Sequence, residues 1–330
     1  TWRQLAWTAS YHFGQLGGAT PVLISHGAQE GPVLCLTGAV HGDELNGIEI
    51  IRRVVHSLDP QALSGTVIGV PIVNLAGFQR NSRYLPDRRD LNRYFPGSPT
   101  GSLASRVAYS FFTEVIEHCD RLADLHTGSF HRTNLPQIRV SPRKPDTMAL
   151  AEAVGAPVIL TSKLREGSLR AAARQHDVDI LLYEAGEGLR FDELAVRVGV
   201  TGILRVMRTL GMISGKGIAR QKVPSIKSSQ SNWLRAPAGG LLRTFKTTGE
   251  TVAENDVLGI ISDPFGEIET EVVADKPGLI IGRTNLPIVN EGDGLFHVAE
   301  VRRHDDSEAA IDNLASQLEE APLFDEDEII

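Results

Sequence analysis

From residue 32 onward the chain alternates between short, continuous apolar runs and longer stretches whose apolar residues recur at helical spacing. The run PVLCLTGAV (32–40) predicts a buried strand, and ELNGIEIIRRVVHSL (44–58), apolar every third or fourth residue, predicts a helix. GTVIGVPIVN (65–74) is a second strand, and SLASRVAYSFFTEVIEHC (102–119) a helix starting near Gly101 or Ser102. RLADLH (121–126) predicts a third strand, followed by an Ala-rich helix over 147–154. PVIL, SLRAAARQH and DILLYEAG then give strand, helix and strand, and FDELAVRVGVTGILRVMRTLG (191–211) a long helix that stops at glycine. Strands alternating with helices predict an α/β domain: a mostly parallel mixed sheet with helices on both faces.

The rhythm changes after about residue 214. Residues 215–232, rich in Gly, Pro and Ser, read as a connector. Over 233–301 come short β-rich runs (LLRTFK, VLGIIS, EIETEVVA, GLIIGR, LFHVAEV) broken by turn residues, which predict a small all-β, barrel-sandwich-like domain. The expected organisation is a catalytic domain over 1–214, the connector, the β domain, and an acidic tail over 302–330, read as a short helix with a frayed end.

Composition narrows the function. Hydrophobic residues make up 42% and charged residues 22%, ordinary for a globular protein, and the net charge of −8 gives no global basic field for nucleic acid or an anionic membrane. No apolar run reaches the ~20 residues needed to cross a bilayer. The first ten residues lack a basic segment leading into an apolar one. Cys35 and Cys119, each isolated in an apolar stretch, read as reduced, buried thiols. Together these predict a cytoplasmic protein.

Four short segments carry chemistry. His41 and Glu44, three apart where the first strand gives way to a helix, could converge on one ion, although a solvated helix start with a first-turn acid explains the pair equally well. Asp124-Leu125-His126-Thr127-Gly128 places another histidine at a strand end, and Tyr183-Glu184-Ala185-Gly186 places a glutamate at a third. Ligand sites of open α/β sheets lie beyond the carboxyl ends of the strands, so these groups can meet. Two His and one Glu leave a position open for water, as catalytic zinc requires, and a further Glu can serve as general base. The run RNSRYLPDRRDLNRYF (80–95) concentrates Arg80, Arg83, Arg88, Arg89 and Arg93 in an acidic protein, which suits bidentate grip on a carboxylate; the alternative is a solvated face paired with Asp87 and Asp90.

His-Gly-Asp-Glu at 41–44, Arg83-Tyr84 followed by Asp-Leu-Asn-Arg at 90–93 and Phe-Pro-Gly at 95–97, Asp-Leu-His-Thr-Gly at 124–128 and Glu-Ala-Gly at 184–186 together resemble the succinylglutamate desuccinylase/aspartoacylase family, within the wider zinc carboxypeptidase fold. The resemblance spans roughly residues 20 to 300. It implies one zinc ion per chain held by His41, Glu44 and His126, with Glu184 as general base and Arg83 stabilising the oxyanion. It implies that Asn92 and Arg93 bind the substrate's α-carboxylate, that the substrate is a small N-acyl amino acid, and that the protein forms a homodimer. The spacer Leu85–Arg89 is longer than in aspartoacylases, which lets Arg88 or Arg89 compete for the oxyanion role.

Weaker candidates surround these. Glu187 could replace Glu184 as base. Asp124, two before His126 and hence on the same face of a strand, could orient that histidine or simply be buried beside Arg121. His131 would line the pocket or a loop, and Arg170 could touch the substrate's side-chain group or lie exposed on its helix. The stretch APAGGLLRTFKTTGETVAENDVLGIISD (236–263) is similar to biotinyl and lipoyl carrier domains, yet the FGEIETEVVA turn (265–274) has no lysine to carry a cofactor, so the β domain reads as a cover or assembly element; the family resemblance implies that it shapes the site entrance. The expected activity is deacylation of an N-acyl amino acid, acetyl or succinyl; the alternatives are a zinc carboxypeptidase acting on peptides and a non-catalytic anion-binding module.

Overall fold

The computed structural model describes residues 2–5, 20–142, 144–301 and 311; the acidic tail, Ile311 apart, lies outside the described residues. In chain order the elements are β1 (Trp2–Leu5), β2 (Thr20–His26), β3 (Gln29–Gly38), α1 (Asn46–His56), β4 (Ser64–Val70), α2 (Leu75–Phe78), α3 (Leu103–Glu114), β5 (Arg121–Gly128), β6 (Arg132–Val140), α4 (Pro145–Val154), β7 (Val158–Thr161), α5 (Leu169–Gln175), β8 (Asp179–Glu187) and α6 (Glu193–Thr209). The remainder is β9 (Ile226–Ser228), β10 (Ser231–Arg235), β11 (Gly240–Thr244), β12 (Thr251–Val252), β13 (Val257–Ser262), β14 (Glu269–Val273), β15 (Gly278–Thr284), β16 (Ile288–Val289) and β17 (Gly294–Ala299).

The main sheet runs β1-β2-β4-β3-β5-β8-β6-β15-β17-β10, with β7 and β9 beside β6 and β12 beside β15. Strands β4, β3, β5 and β8 pair in parallel, and β7 with its neighbours β6 and β9 does so too. Elsewhere pairing is antiparallel: β2 on β4, β6 on β8 and β15 on β6. The sheet is therefore mixed, and the expectation of a mostly parallel one holds only for its centre. Burial explains the difference. The central strands are covered on both faces and read as continuous apolar runs, whereas β6 interleaves Asn134, Pro136 and Gln137 with its apolar residues and was invisible as a strand.

Helices cover both faces. On one, α1 turns Ile50, Ile51 and Val54 inward to a core shared with Leu150 and Val154 of α4 and Val196, Ile203 and Val206 of α6. Arg53 ties α1 to α6 through two bonds of 2.9 Å to Glu193. On the other, α3 contributes Val107, Phe111 and Phe112 and α5 contributes Leu169 and Ala172 to a second core, where Cys35 and Cys119 lie buried and unbridged. Ser102, Ser168 and Asp192 cap α3, α5 and α6 by accepting from the third backbone amide onward.

The C-terminal segment is β-rich as expected but does not stand apart. Strands β14-β13-β11-β16 make a second sheet over a small core that includes Val252, Leu258 and Phe296. Strands β15, β17 and β10 instead extend the main sheet across β6, and β9, in the segment read as connector, pairs with β7. This continuity brings the C-terminal strands to the edge of the candidate site.

Candidate metal centre and active site

Strand β3 ends at Gly38, and Val73 and Asn74 donate their amides to Gly38 and Ala39, tying the following turn to the end of β4. The turn His41–Glu44 closes with the Glu44 amide on the His41 carbonyl at 3.1 Å. Gly42 is required here: a Cβ would lie 2.1 Å from the backbone carbon of Gly77, so only glycine lets the turn pass α2. His126 is near the end of β5, and in the parallel register of β5 and β8 it stands opposite Glu184.

These turns bring three distant residues together. His41 Nδ1 is 2.7 Å from Glu44 Oε1, and His126 Nδ1 is 2.6 Å from Glu44 Oε2. One ligand atom from each of His41, Glu44 and His126 lies within 4.8 Å of the others, and all three side chains are buried. Both remaining ring nitrogens rest on carboxylates. His41 Nε2 is 3.1 Å from Asp90 Oδ1, and His126 Nε2 is 2.9 Å from Asp124 Oδ2, whose other oxygen accepts from Thr37 at 2.7 Å. A carboxylate on the far nitrogen fixes the tautomer that presents the near one to a cation, the usual support behind a metal-bound histidine. This donor chemistry fits a zinc-type ion, with one position left for water or substrate.

The charges are coupled. Burial alone would raise Glu44, but the two imidazoles outweigh it and hold the carboxyl well below the usual range. Burial alone would lower His41 and His126, but Glu44 with Asp90, and Asp124 with Glu44, raise them instead. Arg83 closes the cluster through Nη1 to Glu44 Oε1 at 3.0 Å and Nη2 to Asp90 Oδ2 at 3.2 Å.

A cavity of about 480 Å³ opens over this cluster and is lined by Arg83, Asn92, Arg93, Arg170 and Glu184 as well as the ligand set. Glu184 accepts from Asn134 Nδ2 at 2.7 Å and lies 3.5 Å from Arg139 Nη1. Asn92 Oδ1 accepts from the Leu169 amide at 2.8 Å, and Arg93 Nη1 donates to the Asn92 carbonyl at 2.5 Å. Arg170 is not an exposed helical arginine: Nη1 donates to Ser162 Oγ at 3.0 Å and Nη2 to the Lys163 carbonyl at 3.2 Å, while burial and then Arg139 lower its affinity for its proton.

The family described as the succinylglutamate desuccinylase/aspartoacylase catalytic domain matches residues 30–210, more than half of the chain. The chain belongs to that family. An N-α-acetyl-L-2,4-diaminobutyric acid deacetylase of Halomonas elongata is 28% identical over 286 residues, 82% of this chain and 83% of the relative. Among solved structures, a succinylglutamate desuccinylase/aspartoacylase from Rhodobacter sphaeroides superposes with a TM-score of 0.78 at 27% identity, covering 87% of this chain and 90% of that one. The product-bound ectoine utilization protein of Ruegeria pomeroyi shares the fold at a TM-score of 0.77 and 24% identity, covering 86% and 89%.

Within this desuccinylase/aspartoacylase chain some sequence candidates fall away from the cavity. Glu187 accepts from Asn285 Nδ2 at 3.0 Å and lies 3.4 Å from Arg190, so it joins β8 to the C-terminal strands. His131 is exposed at a loop position with φ of 54°. Arg88 is also in a loop with positive φ, and Arg89 pairs with Asp87 and the Tyr94 hydroxyl; Arg83, and neither of these, lines the cavity. Arg121 pairs with Asp146 and leaves Asp124 to His126. Asp90, Asn134, Arg139, Arg132 and Trp233 also belong to the site, and sequence reasoning missed them. Asp90 looked like a local partner for the arginines, and the others sit on β6 and β10, strands without an apolar signature.

Proposed function

We propose that the protein is a zinc-dependent amidohydrolase that removes the acyl group from a small N-acyl amino acid. The observation that carries this reading is the convergence of one ligand atom each from His41, Glu44 and His126 within 4.8 Å, in one cavity with Glu184 on the neighbouring strand. His41, Glu44 and His126 would hold one zinc ion per chain. Zinc in such a set polarises a carbonyl and lowers the pKa of its water to about 7.

The remaining chemistry falls to the chain's own side chains. Glu184, fixed by Asn134, accepts the proton of the attacking water and passes it to the leaving amine. Arg83, at the edge of the ligand set, donates to the carbonyl oxygen as negative charge develops there. Asn92 and Arg93 take the α-carboxylate, and Arg170 faces the amino acid's side-chain group. A cavity of about 480 Å³, walled on one side by Trp233 from the C-terminal strands, suits a single acylated amino acid better than a peptide.

The test is a side-by-side assay of N-succinylglutamate, N-acetylaspartate, N-α-acetyl-2,4-diaminobutyrate and a peptide panel. The expected result is turnover of N-acyl amino acids that a chelator removes and zinc restores. Turnover confined to peptides, or none at all, contradicts the proposal.

A further inference from the structure

A second cavity, of about 730 Å³, adjoins the one over the metal cluster and takes no part in the chemistry above. Phe95, Pro96, Leu164 and Ala171 give it apolar walls, and Glu166 and Arg174 also line it. Two chain segments form the partition between the cavities. In the loop before α5, Lys163 and Arg165 line the first cavity while Leu164 and Glu166 line the second. In the arginine-rich segment, Asn92 and Arg93 line the first, and Phe95 and Pro96 the second.

The two segments are tied closely together. The Phe95 amide donates to the Gly167 carbonyl at 2.9 Å, and the Leu169 amide donates to Asn92 Oδ1 at 2.8 Å. Gly167 has a φ of 74°, and a Cβ there would lie 2.3 Å from the Arg93 carbonyl oxygen. The backbones pass each other with no room for a side chain. Whatever rests on Phe95 and Gly167 from the second cavity therefore bears on Asn92 and Arg93 in the first.

The second cavity also carries opposite charges with nothing to neutralise them. Glu166 is exposed and Arg174 half-buried, and Arg174 Nη1 donates only to the Ser141 carbonyl, at 3.3 Å. Among the described residues neither side chain forms an ion pair, with each other or with any other group. A ligand that matches this recess has an anionic group for the guanidinium, a cationic group for the carboxylate and an apolar body between the walls. A free α-amino acid with an aliphatic or aromatic side chain has all three.

We propose that the second cavity binds such an amino acid, its carboxylate on Arg174 and its ammonium on Glu166, and that occupancy holds Asn92 and Arg93 in the arrangement seen here. A ligand that binds the conformation in which the recess is formed shifts the population toward it. Substrate gripped by Asn92 and Arg93 shares the same partition, so the two sites should strengthen each other. Binding at the second cavity stands apart from the hydrolytic reading; only its effect on the substrate rests on that reading.

Calorimetric titration of zinc-loaded protein with L-leucine and L-phenylalanine tests the site, with isocaproate and isoamylamine as analogues that each lack one of the charges. Wild type should bind the amino acids, and each analogue about fivefold more weakly or worse, as half-exposed charge pairs imply. Glu166→Gln and Arg174→Gln should each weaken L-leucine by about the same factor. Ala171→Trp, which fills the recess, should abolish binding, and Arg93→Met, on the far side of the partition, should leave it near wild type. With an N-acyl amino acid as substrate, L-leucine should lower KM at unchanged kcat, and Glu166→Gln, with basal activity intact, should need about fivefold more for the same response. No binding to wild type, binding unchanged in both Glu166→Gln and Arg174→Gln, or binding lost in Arg93→Met overturns the site. A KM that stays constant or rises with L-leucine overturns its coupling to the substrate. If Ala171→Trp does not fold, the two charge variants decide. Absence of turnover on every N-acyl amino acid removes the hydrolytic reading, while the titrations still decide the second site.

Discussion

Both oxygens of Glu44 face imidazoles, and one also meets Arg83, so its charge organises the whole ligand set. Removing its charge should leave both imidazoles and Arg83 without their shared partner: Glu44→Gln is expected to abolish stoichiometric metal binding, which metal analysis after gel filtration checks. The carboxylates behind the histidines act one step removed. Asp124→Ala and Asp90→Ala should each weaken zinc affinity about 10–100-fold, measured by competition with a chromophoric chelator, because each fixes the tautomer of its histidine. Glu184→Gln should lower turnover by on the order of 10²–10⁴ while metal content stays near wild type. Arg83→Ala should cost on the order of 10²–10³ in kcat, and near-normal turnover would remove Arg83 from the oxyanion role. The candidate group His41, Glu44 and His126 was legible because its histidines lie at or just beyond the ends of apolar strand runs, whereas Arg83 stood out only through its arginine-rich loop. Asp90 was not, because nothing in a linear sequence says that an aspartate 49 residues from His41 reaches its ring.

At the scale of elements, the parallel centre and both helical layers followed from apolar periodicity, since each of those elements buries a continuous run or a regular stripe. Strands β6 and β10 did not: their side chains alternate between core and cavity, and polar cavity residues erase the pattern that defines a strand. The same elements bury His297 without its proton. Its pKa falls from an ordinary value near 6.5 to about 3, so between those limits the unfolded chain binds a proton that the folded chain refuses. Its contribution is complete above pH 6.5 and is lost as pH falls toward 3. At pH 5 the loss is about 2 kcal/mol. His297→Gln should flatten that part of the stability profile in urea titrations from pH 7 to pH 4; an unchanged slope would show that the ring is not the source.

Over the whole molecule, charge is distributed against its average. The chain carries −8, yet the cavity is lined by Arg93, Arg132, Arg139, Lys163, Arg165 and Arg170. A concave, cation-lined surface attracts anions and focuses them on the ligand set. KM for an anionic N-acyl amino acid should therefore rise as ionic strength goes from about 0.01 to 0.15 M, with kcat much less affected. The net charge gave no hint of this field, because it depends on β6 and the segment around Ser162 folding onto the arginine-rich loop. The β-rich C-terminal segment was visible in the sequence, but its share of the cavity wall was not, since that depends on β15 pairing with β6.

The central claim is that His41, Glu44 and His126 hold one catalytic zinc. Metal analysis of protein purified without chelator, paired with hydrolysis of an N-acyl amino acid before and after metal stripping, tests it most directly. The expected result is about one zinc per chain, activity lost on stripping and regained with zinc, and neither metal nor activity in His126→Ala. Full hydrolytic activity in metal-stripped protein, or stoichiometric zinc retained by His126→Ala, would contradict it.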